Sequence, residues 1–173
     1  MKPVKKFFPD LWLASVFEIS FADLRRDGVT ALIFDIDNTL AAFDDPEPSA
    51  RVAELFDNLK RVGFSICLLS NNGEARVKRF NEKLGAFTVF KAGKPRKTAA
   101  EKALALMGVK AGDTVLIGDQ LFTDVLCGKN AGVFTILVKP LTNRDEITVV
   151  WKRPLEKIVL WRYKIYLKRK ASR

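Results

Sequence analysis

The sequence predicts an α/β fold, a three-layer, doubly wound, mainly parallel sheet with helices on both faces. Three observations carry that prediction. Short apolar runs alternate along the chain with segments of helical period. The central runs, Ala31-Leu32-Ile33-Phe34 and Thr114-Val115-Leu116-Ile117, lack the polar alternation of a half-wet strand and read as buried on both faces, as a parallel sheet requires. Finally, the residues of unusual polar chemistry fall just after apolar runs: Asp35 and Asp37, Ser70, Lys94, then Asp119 and Asp124. In a parallel sheet such positions converge on one edge, where open α/β sheets hold their ligands.

The elements follow in order. Residues 5–17 are aromatic-rich, and Pro9-Asp10 reads as a helix start before Leu11, Trp12, Val16 and Phe17. Ser20 with Asp23 forms a capping arrangement, so a short helix should reach about Asp27 and stop at Gly28. The first strand covers 31–34. A polar, proline-rich loop over 44–49 leads into a helix over 49–60. The second strand, 64–69, ends in Ser70-Asn71-Asn72-Gly73; a helix over 74–84, a short strand over 88–90 and a helix over 97–107 come next. The fourth strand, 114–117, ends at Gly118-Asp119-Gln120, a helix over 123–130 stops at Asn130 and Gly132, and 134–138 is the fifth strand. The alternation implies right-handed crossovers. Residues 1–150 form one domain with a helical N-terminal arm, and 151–173 form a basic, aromatic C-terminal helix or tail.

Composition narrows the chemistry. A chain of 173 residues, 48% of them hydrophobic, has room for one proper core. It has no histidine, which excludes histidine bases, Ser-His triads and most zinc or iron sites. Two cysteines, Cys67 and Cys127, are too few for a disulfide framework and read as reduced structural thiols of a cytosolic protein. The net charge of +10 belongs to the ends: residues 151–173 carry nine basic side chains against Glu156 alone, and residues 1–6 carry three lysines and no acid. The body between is close to neutral, so the charge is no general nucleic-acid signal. No run approaches the ~18 apolar residues of a membrane span. Pro9 and Asp10 interrupt the start too early for a signal-peptide core.

Asp35 and Asp37 stand one residue apart at a strand end and repel each other unless a cation lies between them or one binds a proton. A hard divalent cation with oxygen ligands, Mg2+, is the expected partner. Taken singly, each polar residue has a plainer reading. The Asp pair could be a polar loop, Ser70 a helix cap, Lys94 one solvated lysine beside Lys91, Arg96 and Lys97, and Asp119 and Asp124 turn or helix-start charges. Those readings are independent of one another, whereas a catalytic site accounts for all four segments and their order.

The set Asp35-Ile36-Asp37-Asn38-Thr39-Leu40, Ser70 after a strand, Lys94 before Pro95, and Gly118-Asp119-Gln120 with Thr123-Asp124 resembles the four motifs of the haloacid dehalogenase (HAD) phosphohydrolases. In closer wording it resembles their class IIIA, YqeG-like subfamily, which is similar to phosphatidylglycerophosphate phosphatases. The resemblance implies a HAD-like core and a magnesium-dependent phosphomonoester hydrolase working through an aspartyl-phosphate. Phosphoryl transfer is mostly positioning and charge neutralisation, which assigns the roles. Asp35 is the expected nucleophile and Asp37 the acid/base. Ser70, the Asn71 N–H, Lys94 and Thr39 are the expected phosphate-side residues, with Lys94 a compact point charge. Asp35, Asp119 and the Asp37 carbonyl would hold the cation, with Asp124 and Thr39 acting through water or orientation. Whether Lys91 assists Lys94 stays open at this point.

Neither interval that houses a cap domain in many HAD enzymes is long enough for one here. An open site suits an ester presented on something large. With residues 1–6 and 151–173 as contacts for an anionic membrane, the expected substrate is a lipid phosphate such as phosphatidylglycerophosphate, met at the inner face of a membrane. Nucleic-acid ends or soluble sugar or nucleotide phosphates are the enzymatic alternatives. An anionic-surface binding module with a vestigial site is the alternative of a different class.

Overall fold

The computed structural model describes residues 3–142 and 153–171. Its strands are β1 (Leu11–Leu13), β2 (Ala31–Phe34), β3 (Ser65–Leu69), β4 (Phe87–Val89), β5 (Thr114–Gly118) and β6 (Phe134–Val138). The α-helices are α1 (Phe21–Arg26), α2 (Ala50–Arg61), α3 (Glu74–Asn81), α4 (Lys97–Met107), α5 (Leu126–Ala131) and α6 (Arg153–Ala171). All strand pairings are parallel, in the order β1-β6-β5-β2-β3-β4. From β2 the chain runs outward through β3 and β4, then returns to β5 on the other side of β2. The strand order therefore reverses between β2 and β5, the switch point at which such sheets leave a crevice.

Period two sorts the side chains of the buried strands between two cores. Leu32, Phe34, Leu68 and Ile117 point to one face, against Phe56 of α2 and Phe80 of α3. Ile33, Cys67 and Leu116 point to the other, where α4 presents Ala99, Ala100 and Ala103. The expected caps are present: Ser20 Oγ accepts from the Asp23 N–H and Ser49 Oγ from the Val52 N–H. No domain is inserted between β2 and β3 or between β3 and β4, each crossing holding loops and one helix.

The start of the chain corrects an expectation. Residues 11–13, expected as helix, form a sixth strand on the edge of the sheet, framed by 3-10 turns at Pro3–Phe7 and Val16–Glu18. Three residues cannot complete a helical turn's hydrogen bonds, but β6 supplies a ready ladder, with Leu11 opposite Ile136. Asp10 locks the register, its carboxylate accepting from the Thr135 N–H and hydroxyl at 2.8 and 3.0 Å. Tertiary pairing thus overrides the local Pro-Asp signal. The expected helix over 123–130 is also divided, into a π-helical turn at Leu121–Val125 and then α5.

α6 packs across this edge. Tyr163 is buried against Phe8, with ring centroids 5.3 Å apart, while Val159 and Leu160 cover Leu121, Val125 and Leu137. Among the described residues, no helix is long and apolar enough to cross a membrane.

Candidate active site

Parallel register brings the carboxyl ends of β2 and β5 side by side, with Phe34 opposite Ile117. The next residues are Asp35, whose N–H donates to the Ile117 carbonyl at 2.9 Å, and on the other strand Gly118 and Asp119. Asp35, Asp119 and Asp124 are all buried, and each places a carboxylate oxygen within 4.8 Å of the others. Lys94 enters from the loop after β4 and donates its Nζ to Asp35 Oδ1 and Asp124 Oδ1, both at 2.7 Å. Lys91, by contrast, is exposed, and its N–H is bonded to the Asn72 carbonyl. Of the two lysines, Lys94 is the one that reaches the carboxylate cluster.

The loop that delivers Lys94 is held by Asn71. Its side chain accepts from the Lys94 N–H at 2.9 Å and donates to the Lys94 carbonyl at 3.4 Å. Ser70 is buried at the end of β3, and its Oγ accepts the Asn72 N–H at 3.1 Å. That bond shapes the turn; the helix behind it is capped by Gly73, so Ser70 is no helix cap. Asp124 belongs to the π-helical turn after β5. Its second oxygen accepts from the Gln120 N–H at 3.0 Å, which ties the turn to the cluster. Gly118 permits this approach, since a Cβ there would overlap the Asp124 carboxyl group.

Asp37 faces elsewhere. Its Oδ1 accepts from Arg76 Nε at 3.1 Å and from an Arg76 terminal nitrogen at 2.6 Å, and its Oδ2 from the Asn72 side chain at 2.8 Å. Of the expected metal residues, three carboxylates are brought together, and that of Asp37 lies outside them. Between Asp37 and Thr39, Asn38 has a left-handed backbone (φ 60°), which Asn adopts more readily than most residues. It turns the chain so that Thr39 is buried, with Oγ1 lacking a hydrogen-bond partner among the described residues.

Burial dominates the electrostatics. Desolvation holds the Asp35 carboxyl well above the usual carboxylate range, opposed by Lys94 and reinforced by Asp124 and Asp119. Desolvation pulls the Lys94 ammonium down, but Asp124 and Asp35 outweigh it and keep it above its ordinary value. Three buried carboxylates around one ammonium leave negative charge in excess. The donors are hard oxygens, and the set fits a hard divalent cation. Cys67 and Cys127 are free and buried, and desolvation pushes their thiols up to about 12 and about 11.

A family model described as HAD-hydrolase-like matches residues 91–148. Over 158 residues the chain is 40% identical to the probable phosphatase YqeG of Bacillus subtilis, covering 91% of this chain and 92% of that protein. The chain belongs to the HAD superfamily, in its YqeG-like branch. It is a phosphatase, a phosphoric monoester hydrolase. Similarity to phosphatidylglycerophosphate phosphatase 1, chloroplastic/mitochondrial, of Arabidopsis thaliana is lower, 27% over 165 residues. It covers 86% of this chain and 47% of the plant protein, so the chain spans about half that relative's length. Among solved structures, the cobalt-bound deoxy-D-mannose-octulosonate 8-phosphate phosphatase of Haemophilus influenzae shares the fold. It superposes with a TM-score of 0.50 at 22% identity, over 66% of this chain and 80% of that one.

Two residues of this HAD-family site escaped sequence reasoning. Arg76 lies in the first turn of α3, where the helix dipole disfavours a cation, so its placement there was a sign of an acidic partner. Glu156 is the one acid among the nine basic residues of 151–173. It is buried, and one of its oxygens accepts from the N–H groups of Leu121 at 2.7 Å and Phe122 at 3.5 Å. It thereby caps the turn that carries Asp124.

Proposed function

We propose that this phosphatase hydrolyses a phosphomonoester through a covalent aspartyl-phosphate, with a magnesium-class cation, on an anionic lipid such as phosphatidylglycerophosphate. The observation that carries the reading is the buried Asp35–Lys94–Asp124 triad beside Asp119 at the switch point of the sheet. A carboxylate held by a lysine, with further acids for a cation, is what an in-line attack on phosphorus needs.

In this mechanism an Asp35 oxygen attacks phosphorus and the ester P–O bond breaks. Asp37, carrying the proton that the water step of the preceding turnover leaves on it, gives that proton to the leaving alkoxide. Asp37 then accepts a proton from a water that attacks the aspartyl-phosphate, releasing inorganic phosphate and restoring Asp35. Arg76 and Asn72 orient Asp37 for this work. Lys94 offsets the charge between Asp35 and the phosphoryl oxygens, and Ser70 with the Asn71 N–H binds one of those oxygens. Asp35, Asp119 and the Asp37 carbonyl would hold the cation, with Asp124 and Thr39 behind them. A cation so bound supplies charge neutralisation at the phosphoryl group.

The lipid preference is supported by the resemblance to the plant enzyme, by the lack of an inserted domain over the site and by the basic termini. The test is phosphate release, with and without magnesium, from phosphatidylglycerophosphate in detergent micelles beside soluble phosphomonoesters, with Asp35→Asn as the blank. Preference for the lipid is expected. Release from soluble esters alone would discard the lipid, and release by Asp35→Asn would discard the nucleophile.

A further inference from the structure

Helix α6 has two apolar stripes, and the body uses only one. At 100° per residue, Glu156, Val159, Leu160 and Tyr163 share the side that packs on the edge of the sheet. On the opposite side Trp161, Ile165 and Ile158 form a second stripe about 60° wide. Trp161 is 61% exposed and Ile158 54%; Leu155, one turn before Ile158, is 57% exposed. A surface helix normally shows solvent a polar face, so this outward row needs an occupant.

Charge identifies the occupant. Arg162 and Arg169 run along one border of the stripe and Lys157 along the other, with Lys168 on that same side and Lys164 turned towards the body, its Nζ 5.0 Å from the centre of the Trp12 ring; no acid lies beside the stripe. An apolar row between two rows of cations matches an anionic bilayer, in which Trp and aliphatic side chains enter the headgroup boundary while Lys and Arg meet lipid phosphates. Beside the row, α6 and the N-terminal arm enclose a groove of about 320 Å³. Lys5, Arg162 and Arg169 line it together with Phe8, Ile165 and Tyr166, giving cationic and aromatic walls at the scale of one lipid headgroup.

We propose that this outward face of α6 is the docking surface by which the enzyme meets an anionic bilayer. Glu156 fixes the first turn of the helix to Leu121, two residues beyond Asp119. That bond ties the helix, through the side opposite the stripe, to a turn of the active site, so docking would hold the site near esters carried by the same membrane. That purpose rests on the lipid-phosphate reading above; the docking itself does not.

The experiment is co-sedimentation of the full-length chain with phosphatidylcholine vesicles, with and without phosphatidylglycerol, at low and high salt. Binding is expected only with the anionic lipid, and salt should weaken it. Arg162→Gln with Arg169→Gln should bind about 20- to 30-fold more weakly. Ile158→Ser with Trp161→Ser should lose at least about tenfold. Both pairs should hydrolyse a soluble ester at the wild-type rate, showing that the site is intact. Wild-type affinity in both pairs would overturn the assignment, as would a wild-type chain that ignores anionic vesicles. Concentration-dependent dimerisation abolished by the Ile158/Trp161 pair would also overturn it, giving the stripe to a second copy. Lipid hydrolysis in micelles without vesicle binding would sink the docking surface alone. Vesicle binding without lipid hydrolysis would sink the substrate reading alone.

Discussion

Replacing Lys94 by Met, similar in length but uncharged, tests the centre of the site. The Lys94 side chain is 3% exposed, and its partners Asp35 and Asp124 are 7% and 0% exposed, so water screens neither 2.7 Å contact. Removing one partner of a buried ion pair leaves a charge without compensation and costs about 3–5 kcal/mol. Burial already favours a proton on Asp35, which relieves some of that charge and puts the expected loss near the lower bound. For a domain of this size each kcal/mol moves the melting temperature by about 2–4 °C, so Lys94→Met should melt about 6–12 °C lower in EDTA. A divalent cation stabilises both forms, by about 2.7 kcal/mol at a hundred times its Kd, and should narrow the gap as far as the variant, lacking the lysine's charge, binds it more tightly. Turnover should fall at least about 100-fold even where the cation restores stability, since the charge facing the phosphoryl group is gone. Lys94→Arg should retain more stability but little turnover, a planar fork being a poor substitute for a point charge. Calorimetry with and without magnesium, beside initial rates on a soluble ester, reads all of this. A Lys94→Met variant within about 2 °C of wild type in EDTA would show that the lysine is not the buried counter-charge. Full turnover would remove it from the chemistry.

Glu156→Leu should lower the melting temperature and slow hydrolysis of a soluble ester several-fold, because it uncaps the turn bearing Asp124; unchanged rates would confine Glu156 to holding the helix. Gly118→Ala should lower turnover at least about tenfold in a folded protein by displacing the Asp124 carboxyl group, checked by kinetics beside circular dichroism. Arg76→Ala, with Arg76→Lys as the partial rescue, should lower kcat more than it changes KM if Arg76 orients Asp37; an effect on KM alone would make it a substrate contact. Asp35 is raised in the folded state, so it contributes stability below about pH 4 that is lost as pH rises through its folded value. In EDTA the melting temperature of Asp35→Asn should therefore gain on wild type as pH rises from 4 towards neutrality, and a gap that stays constant would refute the raised carboxyl.

Much of this protein is legible in its sequence because strand burial and site placement share one cause. A parallel sheet covered on both faces forces its inner strands to be apolar throughout, so an abrupt Asp after Phe34 or Gly118 marks the strand end, and strand ends converge. That local rule points to Asp35, Ser70, Lys94 and Asp119 without coordinates, and the separate glycine stop signal puts helix ends at Gly28 and Gly132. The Lys94-Pro95 pairing favours Lys94, but whether Lys91 assists it stays open in the sequence, since both follow β4. Only the fold decided that Lys94 reaches Asp35 while Lys91 stays outside. Nor does local sequence show that Leu11–Leu13 is a strand, because its hydrogen-bonding partner, β6, lies more than a hundred residues away. Shorter separations, 39 and 35 residues, were enough to hide Arg76 on Asp37 and Glu156 on Leu121, and nothing local showed which face of α6 packs on the body. Periodicity reports that a side chain is apolar and on which side of its helix it lies. What covers that side is settled by packing between elements remote in the chain.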